Sequence, residues 1–155
     1  MKILALSLFL LPLALINWPV DRLEIIIPGE NDRIFAGVPS LLGRDVQNTI
    51  IHSVQLTPVI DTYRVQEGRI FAWREAIMSH NAGLPSLKPE RGRFVYDSPW
   101  MIVEGGGASW SEIRYRVGTE QLGKNKICIF NRDCQDLWRE VPGKLLVFRV
   151  SPGNL

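Results

Sequence analysis

Short apolar runs separated by turn-forming residues divide the chain, and this spacing limits the folds that it can adopt. Runs rich in Val, Ile, Leu and aromatic residues end at Gly, Pro, Asn or Asp, and turn signals recur about every 8–12 residues. This pattern predicts an all-β domain, either an antiparallel β-sandwich or a barrel-like fold. The predicted strands are 23–27, 33–38, 46–54, 59–65, 69–80, 93–96, 100–104, 113–117, 126–130 and 144–150.

Two of these runs, 69–80 and 46–54, depart from simple alternation of apolar and polar residues. Within 69–80, Ile70, Trp73 and Ile77 fit a helical stripe, whereas Phe71, Trp73 and Ile77 fit an alternating strand. The strand-like runs on both sides favour a strand here. The run 46–54 carries apolar residues on both of its faces, which predicts a central position in a sheet.

The N-terminal residues differ from the rest and predict a targeting segment. Lys2 is the only charge before Asp21, and residues 3–16 form an uncharged, mostly apolar run. Its length is typical of the hydrophobic region of a signal peptide, and with Trp18 and Val20 it approaches that of a membrane-spanning helix. Residues 1–20 are therefore interpreted as a cleaved signal peptide or as an N-terminal anchor helix. Either reading predicts that residues 21–155 form a single exported domain.

Composition gives no sign of nucleic-acid binding. The chain carries 18 basic and 16 acidic residues, a formal net charge of +2, and the two signs are interspersed. Proteins that bind nucleic acid usually gather Lys and Arg into one stripe or patch. We therefore expect no nucleic-acid partner, and no motif in the sequence indicates a cofactor.

The third and fourth predicted strands combine strand signals with titratable side chains. A four-residue loop over 55–58 would place His52 opposite Asp61, with Cβ atoms about 4.5–5.5 Å apart. A carboxylate beside an imidazole fixes its tautomer and favours the charged ring. Three readings stay open: a structural cross-strand pair, a ligand-binding site that includes Thr57, and an acid–base pair of a hydrolase. Ser53 faces the opposite side of its strand, which argues against a catalytic triad.

A second polar cluster follows the fifth predicted strand. His80 and Asn81 come directly before a glycine turn and could contact a ligand at the rim of a pocket. A metal site would arise if the fold brought His80 together with His52 and Asp61. Sequence spacing alone does not establish that convergence, so no metal ligand and no catalytic residue is assigned.

Arg114 and Arg116 share one face of a predicted strand. Two arginines aligned in this way suit a carboxylate or a phosphate group. The alternative is an outer strand face that is simply solvated. Both residues are therefore candidates for contact with a ligand or a partner.

Cys128 and Cys134 flank a predicted hairpin tip. A three-residue loop over 131–133 would pair Phe130 with Cys134, which leaves Cys128 diagonal to Cys134 on the same strand face. Export favours oxidation, whereas the diagonal position does not favour a bond. A disulfide and two free thiols both stay open. A zinc site is not expected, because no histidine lies near the two cysteines.

Several segments together resemble the DUF1850 family of bacterial proteins. They are His52-Ser53-Val54 with Thr57-Pro58-Val59 and Asp61, then Asn81-Ala82-Gly83-Leu84-Pro85, Tyr115-Arg116-Val117, and two terminal strands around 128–137 and 145–150. The resemblance covers the chain from about residue 23 onward. Its most specific part is the His-Ser-Val and Thr-Pro-Val element.

The resemblance implies a role without implying a reaction. Members of the family have no assigned activity, and their genes tend to lie beside those of TAXI-type TRAP transporters, which import small organic acids. The implied protein is a non-enzymatic periplasmic accessory, associated with the inner membrane through its N-terminus, that contacts transporter subunits or a small anionic ligand. The alternatives are a small-ligand or metal-binding module that uses His52, Asp61 and His80, and a hydrolase.

Overall fold

The domain is built almost entirely from short antiparallel strands. The computed structural model describes residues 19–29, 33–39, 45–78, 91–129 and 133–154. These residues form twelve strands and one short helix. They are β1 (Pro19–Ile27), β2 (Arg33–Pro39), β3 (Val46–Ile51), β4 (Pro58–Gln66), β5 (Arg69–Ile77), β6 (Arg93–Asp97), β7 (Trp100–Glu104), β8 (Ser109–Trp110), β9 (Glu112–Arg116), β10 (Asn125–Ile129), β11 (Asp133–Gln135), α1 (Leu137–Glu140) and β12 (Leu145–Asn154).

The strands form two sheets. The small sheet has the order β2-β1-β12-β9, and the large sheet has the order β11-β10-β3-β4-β5-β7-β6, with β8 paired to β5. All of these pairings are antiparallel. The all-β, antiparallel prediction is therefore confirmed. The described strands form two open sheets and no closed barrel, so the barrel-like alternative is wrong.

The two sheets share one apolar core. The small sheet contributes Leu23, Ile25 and Phe148, and the large sheet contributes Val46, Ile70 and Ile127, all of which are almost inaccessible to solvent. The face of the large sheet that lies against the small sheet is called the inner face below. Apolar residues at many of the alternate positions of these strands produce this arrangement, because successive side chains point to opposite faces.

A second apolar cluster lies further along the inner face. Val59, Ile77 and Met101 are buried there, with Phe94 packed against them. These residues belong to the strands β4, β5, β7 and β6. The polar side chains of Asn48, Asp61 and Glu75 occupy the inner face between the two clusters.

Most predicted strands are present, and the differences have local causes. The segment 69–77 is a strand, as predicted, and it follows a tight two-residue turn in which Glu67 and Gly68 both have positive φ. β1 starts at Pro19, four residues before the predicted start, because its N-terminal half pairs with the end of β12. β3 ends at Ile51 rather than at residue 54, because His52 begins a turn.

The targeting segment falls outside the described residues. Residues 1–18 are not among them, so the predicted signal peptide or anchor helix stays a prediction. Within the part of the chain that is described, no helix is long and apolar enough to cross a membrane.

Candidate functional site

His52 organises the turn between β3 and β4. Its ring Nδ1 accepts hydrogen bonds from the backbone N–H groups of Val54 and Gln55, at 3.2 and 3.3 Å. Its own backbone N–H donates to the Thr57 carbonyl, and its carbonyl accepts from the Leu56 N–H, both at 2.9 Å. Asn and Asp side chains stabilise turns in the same way, by accepting backbone N–H groups two or three residues ahead. The histidine therefore acts here as a turn-forming residue.

The predicted pairing of His52 with Asp61 is wrong. The six-residue loop 52–57 shifts the register, so that Asp61 lies opposite Asn48 and Ile51 lies opposite Pro58. His52 is four residues further along the chain than Asn48, which corresponds to roughly 13 Å in extended backbone. The two side chains therefore do not share a hydrogen bond, and neither the acid–base pair nor a metal site built on both residues is formed.

The remaining predicted residues are dispersed. Thr57 closes the His52 turn through its backbone carbonyl. Arg114 is exposed and pairs with Glu112 at 2.8 Å, and the exposed Arg116 donates to the Gly143 carbonyl at 3.0 Å. These contacts fit the solvated outer face that the sequence left open.

Two predicted candidates cannot be placed. His80 and Asn81 lie outside the described residues. The described residues also contain no group of three or more His, Cys, Asp or Glu side chains arranged to hold a metal ion.

The two cysteines form a disulfide on the outer face of the large sheet. Cys128 lies directly opposite Cys134 in the β10–β11 pairing, with Cα atoms 4.0 Å apart. The diagonal arrangement predicted from the sequence is wrong, because Cys134 pairs with Cys128 rather than with Phe130, a difference of two residues in register.

The most unusual chemistry lies between the two sheets, in a set of six side chains called the inner polar layer: five are on the inner face of the large sheet, and Tyr115 comes from β9 of the small sheet. The layer separates the two apolar clusters of the inner face. Strand register places Asp61 between Asn48 on β3 and Glu75 on β5, so that two carboxyls lie directly opposite each other. Its members are Asn48, Asp61, Tyr63, Glu75, Tyr115 and Asn125.

Among the described residues of the large sheet, the two carboxyls of this layer have no basic neighbour on their own face. No described strand of the large sheet carries Lys or Arg on the inner face, since Arg64, Arg74 and Arg93 all point outward, where they form ion pairs with acidic residues. Both carboxyls are half-buried, so solvent reaches them only in part. Burial without a counter-charge penalises the ionised form of an acid.

The pKa values follow this arrangement. Desolvation by burial raises the pKa of Asp61, and a 3.3 Å hydrogen bond from the Tyr63 hydroxyl to Asp61 Oδ2 opposes the rise. Desolvation also raises the pKa of Glu75, and the charge of Asp61 raises it further. The pKa of Tyr63 rises for the same two reasons, burial first and the Asp61 charge second. All three groups are thus biased towards their protonated forms.

Two tyrosines from different sheets are brought together by one phenylalanine. Tyr63 on β4 meets Phe148 on β12 edge to face, with ring centroids 6.1 Å apart, and Tyr115 on β9 lies 6.2 Å from the same ring. Such distances and tilts are typical of attractive aromatic pairs. Burial raises the pKa of Tyr115, and the Asp61 charge adds to the rise, so the Tyr115 hydroxyl lies in the field of that acid.

Two buried amides complete the layer. Asn48 is fully inaccessible, and neither its Nδ2 nor its Oδ1 has a hydrogen-bond partner within the described structure. Asn125 is 2% exposed, accepts from the Gly118 N–H at 3.1 Å, and leaves its Nδ2 without a partner. Both amides lie near the Tyr115 hydroxyl, and their interaction with it opposes the rise of its pKa. Unpaired buried polar groups are rare in native proteins and cost free energy.

Sequence reasoning found only one member of the inner polar layer. Asp61 was a candidate, but for pairing with His52. Glu75 was missed because β5 contains a bulge: the register shifts by one residue at Trp73, which reverses the alternation of all later side chains. Tyr115 was missed because it belongs to the other sheet, and strand alternation does not reveal which sheets face each other.

These features define a small all-β domain of two antiparallel sheets, with an acidic, half-buried layer between their apolar contacts. The chain belongs to the DUF1850 family, whose model is described as a domain of unknown function and matches residues 49–137. The match begins in β3 and ends at the start of α1, so it leaves out β1, β2 and β12. The matched range, 49–137, is shorter than the stretch from about residue 23 onward over which the sequence resembles the family. No curated protein and no solved structure gives a significant match.

Proposed function

We propose that the domain is a non-enzymatic, extracytoplasmic accessory of a TAXI-type TRAP transporter system for small organic acids. In this proposal it docks on a transporter subunit through the tip of the β3–β4 hairpin. Residues 1–20 direct the chain across the inner membrane and, where uncleaved, hold it there. The association with this class of transporter is what the resemblance to the DUF1850 family implies; the matching family model is itself described as a domain of unknown function. The geometry of the hairpin tip supports docking, and it is the observation that carries the proposal.

The tip exposes two large apolar side chains. Val54 is 72% exposed and Leu56 is 75% exposed, which are the two highest values among the exposed large hydrophobic residues of the described chain. Val54 belongs to the element that most specifically resembles the family, and Leu56 lies between the two parts of that element. Single exposed apolar residues are common on proteins, but a pair on one projecting turn fits an anchor that fills a recess on a partner.

The backbone at the tip is strained and held firmly. Leu56 has φ of 54°, a left-handed conformation that costs a non-glycine residue about 1–2 kcal/mol. Four hydrogen bonds centred on His52 hold the turn in this shape. Strain that persists in a well-ordered turn points to function, because a glycine at this position would remove it. A rigid tip also loses little conformational entropy on binding.

The rival functions have less support. The hydrolase and the metal module both depended on a His52–Asp61 pair, which the register of β3 and β4 does not form. A small anionic ligand has no described cationic pocket to enter, because Arg114 and Arg116 are engaged on an exposed strand face.

Co-purification with transporter subunits tests the proposal. The chain is co-expressed with the solute-binding and membrane subunits of a TAXI-type transporter and recovered by affinity. We expect Leu56→Gly and Val54→Asp to reduce the recovered transporter at least tenfold. Leu56→Gly is the sharper variant, because it removes the side chain and also relieves the positive-φ strain, so misfolding cannot explain a loss.

Tyr96→Asp is the matched control. Tyr96 is 68% exposed, but it lies on β6, three strands away from β4 and thus about 14 Å across the sheet. It should leave recovery unchanged. Equal recovery with wild-type chain and both tip variants, or no recovery with wild-type chain, would contradict the proposal.

A further inference from the structure

We propose that the inner polar layer is a binding site for a small organic cation, held by Asp61 and Glu75 through a primary ammonium or guanidinium group. The proposal does not depend on docking at the hairpin tip, because it concerns different residues, on the inner face of β3, β4 and β5, and different chemistry. It assigns a ligand class that differs in charge from the organic acids of the transporter.

Charge is the first argument. Asp61 and Glu75 face each other on adjacent strands, and no Lys or Arg of the described large sheet shares their face. A buried acid pair in a structural role normally has a basic partner, because an unpaired charge in a poorly solvated site is costly. A cationic ligand that donates several hydrogen bonds would neutralise both carboxylates and satisfy their oxygens.

The unpaired amide is the second, independent argument. Asn48 lies directly opposite Asp61 on β3 and is fully buried; its amide lies near the Tyr115 hydroxyl, and its Oδ1 has no hydrogen-bond partner within the described structure. Its Oδ1 can accept from an N–H donor, which a primary ammonium or a guanidinium supplies in excess. A ligand held between Asn48, Asp61 and Glu75 would thus satisfy groups on three neighbouring strands.

The aromatic rings are the third argument. Tyr63 donates its hydroxyl to Asp61, and both Tyr63 and Tyr115 pack against Phe148. Aromatic faces attract organic cations, and the phenol oxygens accept further hydrogen bonds. Asp61, Glu75 and the two tyrosines are half-buried, so part of this layer is open to solvent.

The same features disfavour the two simplest alternatives. An anionic ligand would meet two acids and no base. A divalent metal such as Mg²⁺ or Ca²⁺ prefers six or more oxygen ligands, and the described residues contain no group of three acidic or metal-binding side chains arranged for one.

Calorimetry and thermal unfolding test the site directly. The 155-residue chain is purified in a mild non-ionic detergent and titrated at pH 7.5 with agmatine, 1,4-diaminobutane, choline, magnesium chloride and succinate. We expect agmatine and diaminobutane to bind. At about 100-fold excess over the dissociation constant, they should raise the unfolding temperature by roughly 5–10 °C. Choline carries a charge but no N–H donor, so it should bind at least tenfold more weakly.

Charge-neutral variants locate the binding. Asp61→Asn and Glu75→Gln should each weaken agmatine binding at least tenfold while the chain stays folded. Glu120→Gln removes the same charge from an exposed loop and should leave binding unchanged.

Three results would overturn the proposal. The first is the absence of a thermal shift with either amine at millimolar concentration. The second is unchanged agmatine affinity in Asp61→Asn and Glu75→Gln. The third is a response to magnesium or succinate that exceeds the response to the amines.

Discussion

Asp61 and Glu75 lie directly opposite each other on β4 and β5, on a face of the large sheet where no described strand provides a basic side chain. Like-charged residues in directly opposed positions destabilise an antiparallel pair. The domain nevertheless keeps both, half-buried, between two apolar clusters. Residues that serve a ligand rather than the fold often have this character, because function is maintained at a cost in stability.

Neutralising one of these acids should therefore stabilise the domain. We expect Asp61→Asn to increase the free energy of unfolding at pH 7 by about 1 kcal/mol, which is typical of single stabilising substitutions. The asparagine oxygen can still accept from the Tyr63 hydroxyl, so the existing hydrogen bond is kept. Urea unfolding measures the change, with Glu120→Gln as a control that should lie within about 0.5 kcal/mol of wild type.

The stabilisation should depend on pH. The pKa values of Asp61 and Glu75 are raised above their ordinary values of 3.8 and 4.5 in the folded state. A raised carboxyl pKa contributes stability that is fully present below the unfolded pKa and is lost as pH rises through the folded pKa. The advantage of Asp61→Asn over wild type should thus be small near pH 3.5 and should grow towards pH 7.

The quantity to measure is the difference in unfolding free energy between Asp61→Asn and wild type at each pH. Glu24 has a lowered pKa, caused first by a hydrogen bond from Ser151, and it changes stability in the opposite sense in both proteins. A constant difference between Asp61→Asn and wild type from pH 3.5 to pH 7 would show that Asp61 is not the group responsible.

The role of His52 predicts a specific pattern of substitutions. His52→Ala should lower the free energy of unfolding by about 1 kcal/mol, because the backbone N–H groups of Val54 and Gln55 lose their acceptor. His52→Asn should lose less, since a short amide can accept the same backbone groups. Thermal unfolding compares the three proteins, and equal losses in both variants would contradict the turn-forming role.

The disulfide should stabilise the domain modestly. Cys128 and Cys134 are separated by six positions, and closing so short a loop is worth about 2 kcal/mol in the chain-entropy model. The double variant Cys128→Ala, Cys134→Ala should lose about this amount relative to the oxidised wild type. A thiol assay under denaturing conditions should find no free thiol in the wild-type chain without reductant.

The sequence predicts strands well where alternation and turn residues agree. β4, β5, β6 and β7 lie within a few residues of their predicted positions, because pairs such as Glu67-Gly68 mark the turns between them. The strand prediction fails at His52, because alternation predicts that the strand continues through this residue. Hydrogen bonds from two backbone groups to the ring turn the chain there instead.

The candidate site is harder to predict for a physical reason. Asn48, Asp61 and Tyr63 could be assigned to one face from alternation alone, once the hairpin register is known. Glu75 could not, because the bulge at Trp73 reverses the alternation of β5. This tryptophan is exposed on the outer face, where the Arg64 guanidinium lies 4.0 Å from the ring centroid. No local sequence pattern predicts the bulge at Trp73.

Carbon-13 NMR titration of the side-chain carboxyls tests most directly whether Asp61 and Glu75 form a coupled acid pair with no basic residue of the described strands beside them. In wild-type chain, the Glu75 pKa should lie above its ordinary value of 4.5, and it should fall in Asp61→Asn because the Asp61 charge contributes to the rise. A Glu75 pKa at or below 4.5 in wild type, or one that Asp61→Asn leaves unchanged, would contradict the account.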